Sequence, residues 1–324
     1  MRTTFFFVIF IIYSASQIFG QLPDESLKEM VVEHNIKSLT QFNHKYENGE
    51  PKEEGYKNIH KEFNKHGNLI KELHYRSGEV SQRLTYKYNE NQQKIEYKNY
   101  SVRKEELSYR QNIEYNDSGQ KVLEHRYNGS EYLKLIHKYD KNGKQNKILK
   151  KRRISGNNYE LIEKRLFSHK GNTTTIKVVD AGGELVKKFI NKYDDHGHLI
   201  KSSEFAPDGE KIKTITTKYN EDGKKTEEEK YQKGNFIYKK DYKYDKDGNL
   251  VEVQKEQPEE EFVISKVYEY QQENLSKEMW LEDMADKYSQ KKFIFDDEGM
   301  LRKVEVFYAL YQYRIMYTFE YNFY

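Results

Sequence analysis

"YKYDKDGNL", residues 242–250, has the look of a calcium loop, with Asp245 and Asp247 two apart and Gly248 behind them. Calcium takes six to eight oxygen ligands, and this stretch offers two carboxylates with no distal Glu in register. A hairpin turn explains the same residues. Asp245 can accept backbone N–H bonds, two polar residues fill the centre, and Gly248 supplies the positive φ of a G1 bulge. On that geometry Asp245 pairs with Asn249, and Tyr244 meets Leu250 across the hairpin.

The same signature recurs along the chain. "FNKHG" begins at 63, "YNDSG" at 115, "YDKNG" at 139, "YDDHG" at 193, "YNEDG" at 219 and "FDDEG" at 295, with weaker copies "YNENQ" at 88, "FSHKG" at 167 and "YQQEN" at 270, and "YNFY" at the end. Successive anchors are 24 to 28 residues apart. A fixed period of this kind is the mark of a repeat architecture. A second turn signal falls about halfway through most periods, as at Ser77-Gly78, Asn128-Gly129 and Lys233-Gly234. The intervening segments are rich in Tyr, Ile, Val and Thr with period-two alternation, for example "KIKTITTKY" at 211–219. Each period therefore reads as a β-hairpin.

The expected fold is all-β: a long antiparallel β-meander of about ten hairpin repeats with a period of about 26 residues, forming an open twisted ribbon, with a closed wide barrel or cocoon as the alternative. The expected organisation is a signal peptide over 1–20, an N-terminal leader over 21–34 with a short helical piece near Asp24 to Glu33, the repeat array over 35–303, and aromatic capping strands over 304–324.

Composition agrees with a thin sheet. Of 324 residues, 35% are hydrophobic and 34% charged, too few apolar side chains for two ordinary cores, yet 29 are Tyr, which argues against disorder. The net charge of +3 creates no global field that would favour nucleic acid. The start, "MRTTFFFVIFIIYSASQIFG", has the n-region, apolar run and small-residue exit of a secretory signal, with cleavage expected before Gln21. The apolar run is too short for a transmembrane anchor, so a secreted or periplasmic protein is expected. There is no Cys, hence no disulfide and no thiolate chemistry.

The Y-x-Y-D-x-x-G-x-L pattern, seen as "YKYDKDGNL" and more loosely as "INKYDDHGHL" and "TTKYNEDGK", resembles the YD repeats of the Rhs family, from about Asn35 to the C-terminus. The period is longer than the usual YD spacing, and neither an Rhs core segment nor a toxin domain is recognisable. The resemblance implies an exported β-strand array, similar to exported proteins of the Bacteroidetes group, and a carbohydrate-binding role.

No catalytic constellation is visible. GxSxG, HExxH and Walker motifs are absent, and His66 and His196 sit in turn centres. Neither enzyme activity, a metal site nor a cofactor is expected. The candidate ligand-binding residues are Tyr193, Tyr219, Tyr242 and Tyr244, which on a shared face would stack on sugar rings or simply stabilise the sheet. Lys150, Lys151, Arg152 and Arg153 are the candidate polyanion site, although strand alternation would split them between two faces. The expected function is a non-enzymatic repeat protein binding an extended ligand, an envelope or extracellular polysaccharide, through a tyrosine-lined sheet. The alternative is a structural or assembly protein that pairs through its sheet edges at the cell envelope. Its C-terminal strand, in "VEVFYALYQYRIMYTFEYNFY" at 304–324, is the expected self-association edge.

Overall fold

The computed structural model describes residues 24–259, 263–271, 274–282 and 287–324. The expected signal peptide and its cleavage point before Gln21 lie outside them. The short helical piece is α1 (Asp24–Glu33). Its last turn closes through His34 N donating to Met30 C=O and Asn35 N to Val32 C=O, and Asn35 takes the left-handed conformation (φ 51°) that ends a helix.

Among the described residues, all remaining regular structure is strand, numbered in chain order from β1 (Ile36–Glu47) to β23 (Tyr313–Phe323). The turns form as their chemistry dictates. Asp245 N donates to Asn249 C=O at 3.0 Å, and Gly248 N to Asp245 C=O at 3.1 Å. Asp245 Oδ1 accepts from the backbone N–H of Asp247 and Asn249. The carboxylate that suggested calcium is thus occupied within its own turn. The same backbone pair of bonds recurs at Asn64, Asn89, Asn116, Asp140, Asp194, Asn220 and Asp296. At Asn89 the bulge position is Gln92, which accepts a φ of 59° where the other copies have Gly. The aromatic–aliphatic pairs also hold, with Phe63↔Leu69, Tyr193↔Leu199, Tyr244↔Leu250 and Phe295↔Leu301 in register.

The sheet is closed. β23 pairs with β1 from Ile36↔Phe323 to Lys45↔Ile315, and the other side of β1 pairs with β3 (Tyr56–Phe63). β2 (Glu50–Pro51) is a two-residue spur on β1. The other 22 of the 23 strands form one antiparallel ring. The open ribbon is overturned and the closed wide barrel is the observed form. The expected free C-terminal edge is overturned with it, because β23 is hydrogen-bonded on both sides, to β22 (Leu301–Tyr308) and to β1. Closure satisfies two rows of backbone groups that a ribbon would expose. At a strand spacing of about 4.8 Å, a round section would be at least about 34 Å across. Trp280 lies within β20 (Asn274–Glu282).

The two faces of the wall differ. One carries Ile59, Ile113, Glu124, Val253, Ser289, Phe293 and Val304, all buried, with Glu124, Ser289 and Val304 fully so. The opposite face carries Lys87, Lys218 and Lys243, which reach well into solvent. Side chains converge on the concave side of a closed wall and splay on the convex side, so the first face is the inner one. The apolar core is concentrated on it at the seam, where Leu39, Phe63, Leu301, Val306, Ile315 and Phe319 cluster. Met30 and Val31 of α1 join this cluster. The helix also lies against the turn at Gly67, where an added Cβ would stand 2.6 Å from the Val32 side chain. α1 therefore sits against the inner wall at the rim formed by the Asx-Gly turns.

Because the seam supplies the densest apolar packing, Phe319→Ala should cost about 3–5 kcal/mol in urea unfolding. Tyr311→Ala, in the exposed turn before β23, should stay within about 0.5 kcal/mol of wild type.

Candidate functional site

The inner wall is the largest candidate surface, and its tyrosines are tied to the wall. Seven anchor tyrosines donate their hydroxyls to a backbone carbonyl just past the preceding repeat's turn. Tyr88 bonds Leu69 C=O (2.8 Å), Tyr115 bonds Lys94, Tyr139 bonds Lys121 (2.8 Å), Tyr219 bonds Leu199, Tyr244 bonds Lys225 (2.7 Å), Tyr270 bonds Leu250 and Tyr321 bonds Leu301. Each bond crosses to the adjacent strand and closes a carbonyl near the bulge. A second set of bonds links adjacent turns. Gln93 Nε2 reaches Gly119 C=O, Gln120 Nε2 reaches Gly143 C=O, and Lys224 Nζ reaches Gly248 C=O.

The four tyrosines proposed from sequence do share this face but do not form an open platform. Tyr219 and Tyr244 have committed their hydroxyls, and the Tyr219 ring stacks on His198 at 4.7 Å. Tyr242 lies opposite Val253 with the Lys225 ammonium over its ring. Tyr193 lines a separate rim cleft with His169, Asp194 and Asp195. A tighter aromatic run lies elsewhere on the inner wall: Tyr86, Tyr97 and Tyr109, with successive centroids 5.1 and 5.6 Å apart.

The four basic residues on β10 (Gln145–Ser155) do not gather. Arg152 gives two hydrogen bonds to Glu160, and the Arg153 guanidinium stacks on Tyr132 at 4.8 Å. Lys150 sits between Leu135 and Glu163, and Lys151 between Lys134 and Leu161, on alternate positions of the strand.

Buried ion pairs are the feature that sequence reading missed. Glu124 on β8 (Lys121–Tyr127) is fully buried. It accepts from Arg126 Nε and from Gln111 Nε2, and Lys121 Nζ lies 3.3 Å away. Burial pushes its carboxyl up, but the hydrogen bonds from Arg126 and Gln111 and the charges of Arg126 and Lys121 outweigh this, leaving it below the usual carboxylate range. His137 stands opposite with Nε2 at 3.9 Å from Glu124; burial holds its imidazole below the ordinary histidine value. Comparable inner groups are Glu228 with Lys225 and Tyr238, and Glu278 with Lys266 and Lys291. A signal did exist: in two repeats Lys stands six and Glu nine residues after the anchor, as Lys121/Glu124 after Tyr115 and Lys225/Glu228 after Tyr219. Among the described residues, no group of three or more His, Cys, Asp or Glu could hold a metal ion.

Fold and wall together define a closed antiparallel β-barrel with a charged exterior. No protein-family profile matches the chain, and no curated protein matches it. Among solved structures it is similar to a porin-like protein from Bacteroides uniformis, at 12% identity and a TM-score of 0.29, over 62% of this chain and 94% of that one. It is also similar to a porin-like protein from Bacteroides vulgatus, at 11% identity and a TM-score of 0.28, over 89% of this chain and 99% of the other. The Photorhabdus luminescens Tc holotoxin pore overlaps at 12% identity and a TM-score of 0.28, over 86% of this chain but only 18% of that one. At scores this low the likenesses carry no argument, and the reading of the chain rests on its own geometry.

Two outcomes follow from the wall chemistry. Tyr244→Phe should lower stability by about 0.5–1.5 kcal/mol, one net hydrogen bond, measured by urea unfolding. Glu124 has a folded pKa below its unfolded one, so its contribution is complete above the ordinary carboxylate range and is lost as pH falls through the lowered folded value. Unfolding midpoints should therefore fall as pH drops below the ordinary carboxylate range, and Glu124→Gln should be less stable at neutral pH and flatter across this acid range.

Proposed function

We propose that the chain is a non-catalytic structural protein of the cell envelope, a self-supporting β-shell that stands in water. The observation that carries this reading is closure combined with a charged outer wall. A lipid-spanning barrel needs an apolar outward band on every strand. Here the outward positions include the pairs Lys218–Glu227 and Lys243–Glu252, at 2.7 Å each, with Lys87 near Glu96. The inner tyrosines, bound back to the wall, serve the shell before any ligand. Assembly through sheet edges, the mechanism first expected for such a structural protein, is not part of the proposal, since the seam uses both edges.

A saccharide-binding role has one observation in its favour, the Tyr86–Tyr97–Tyr109 stack, which offers contiguous rings where Tyr193, Tyr219, Tyr242 and Tyr244 do not. That role would make Tyr97 the residue to change, with Tyr97→Ala weakening retention on immobilised neutral glycan.

The shell reading is tested on residues 21–324 by small-angle scattering and liposome flotation. The expected result is a compact particle with a hollow-shell scattering profile that stays in the aqueous fraction without detergent. A rod on the order of 100 Å long, the length of an unrolled sheet of this strand number, would defeat closure. Stable flotation with neutral lipid would defeat the water-standing shell.

A further inference from the structure

At several places on the outer wall, lysines face carboxylates across the strands, as at Glu62↔Lys71, Lys87↔Glu96, Lys218↔Glu227 and Lys243↔Glu252. Like charges meet instead at Lys98↔Arg110, Lys134↔Lys151, Lys138↔Lys147 and Lys277↔Lys292, and again between β12 (Thr173–Asp180) and β15 (Lys211–Tyr219), where the opposed lysines adjoin a cleft. Lys177 stands directly opposite Lys188, and Lys192 directly opposite Lys201. Like charges placed directly across a ladder destabilise it, and none of these four lysines has a salt bridge among the described residues. Lys188 instead lies over the Phe205 ring.

This stretch adjoins a cleft of about 240 Å³ that reaches the turn after β16 (Lys225–Gln232). It is lined by Lys201, Lys211, Lys213 and Lys233 together with Thr214, Thr216 and Tyr231. Among the described residues, no carboxylate lines the cleft. Glu229, an outer-face acid beside it, stands opposite Thr216 and accepts a hydrogen bond from Tyr231 at 3.2 Å.

We propose that this cleft and the lysine rows beside it bind an acidic glycan, a sugar chain bearing sulfate or carboxylate groups. The chemistry is specific to that class. The cluster of cations without carboxylate partners supplies charge for the acidic substituents. Threonine hydroxyls can bond sugar hydroxyls, and the single tyrosine ring gives an apolar face for one pyranose. A nucleic acid single strand would want successive open aromatic platforms for its bases, whereas here Phe205 lies under Lys188 and Lys211, and Phe236 packs edge-on against Tyr231. The lysine rows run across three strands, which suits an extended chain rather than an isolated ion. This proposal places a polyanion site on β12–β16, where the opposed lysines adjoin a cleft. It stands independently of whether the shell is structural, because it needs only the outer face.

The test is titration of the full chain with dextran sulfate, with neutral dextran and a single-stranded oligonucleotide of matched charge as comparators. The expected result is binding of dextran sulfate that weakens with salt, no binding of neutral dextran, and weaker binding of the oligonucleotide. Lys188→Gln with Lys201→Gln should weaken dextran sulfate binding by about tenfold or more, the loss of one or more charge-assisted contacts. Lys150→Gln with Lys151→Gln should leave it unchanged, and an unaltered unfolding midpoint for both double variants would show that the fold is intact. An equal loss in the two double variants would overturn the assignment, as would tighter binding of the oligonucleotide. Full displacement by inorganic sulfate at the same sulfate concentration would overturn the glycan and leave a small-anion site.

Discussion

Everything in this wall depends on the pairing of β1 with β23. A hairpin meander of this length has two free edges, each a row of unpaired N–H and C=O groups, and either can be satisfied by another molecule or by the other edge. Here nine register pairs join the two ends, with only one irregularity near Ile36. Side chains reinforce the join: His44 bonds Thr318 and the carbonyl of Lys52, and Asn322 bonds Ser38. The seam is also where the chain places its best apolar residues, so that the one contact made over the greatest sequence separation is the one with the most hydrophobic burial behind it.

Away from the seam the wall has little apolar matter and is held by other means. The repeats contribute bulged turns, in seven of them a tyrosine hydroxyl aimed at the preceding repeat, and in several places an ion pair facing the lumen. These are short-range couplings between neighbours, the energetic pattern of repeat proteins, bent round until the last unit meets the first. Burying Glu124 entirely would ordinarily be unfavourable. Arg126, Gln111 and Lys121 together satisfy it, which makes that repeat dependent on a complete set of partners.

The local half of this structure was legible in the sequence. The Asp/Asn-x-x-Gly spacing fixed the turns through the conformational demands of single residues, and the Tyr244↔Leu250 type of pair followed from turn geometry alone. The period implied about ten hairpins, near the 22 strands of the ring. The choice between ribbon and ring was not legible, because twist and coil accumulate over 22 strands and no single residue encodes the sum. The aromatic C-terminal segment read as an edge in want of a partner; the partner was the strand at Ile36–Glu47, far away in sequence. Which side chains meet at the candidate sites was not legible for a related reason. Tyr219 and Tyr244 share one face, but whether a hydroxyl is available depends on a carbonyl in the preceding repeat, at Leu199 and Lys225. Alternation already divides Lys150 to Arg153 between two faces, whereas the opposed Lys177–Lys188 and Lys192–Lys201 pairs arise only once the register is known.

The hydrogen bond from Tyr324 N to Asn35 C=O joins residues at opposite ends of the repeat array at the same rim as the Asx-Gly turns. It has a topological consequence. In a ring whose units couple only to their neighbours, no repeat is first or last, and the position of the break in the covalent chain is mechanically arbitrary. A short linker across Asn35 and Tyr324, with the chain opened instead at a turn such as Lys233-Gly234, would preserve every strand pairing of the wall. Such a circular permutant would differ from the parent only in where α1 is attached, and so would separate what the helix does at the mouth of the barrel from what the ring does by closing.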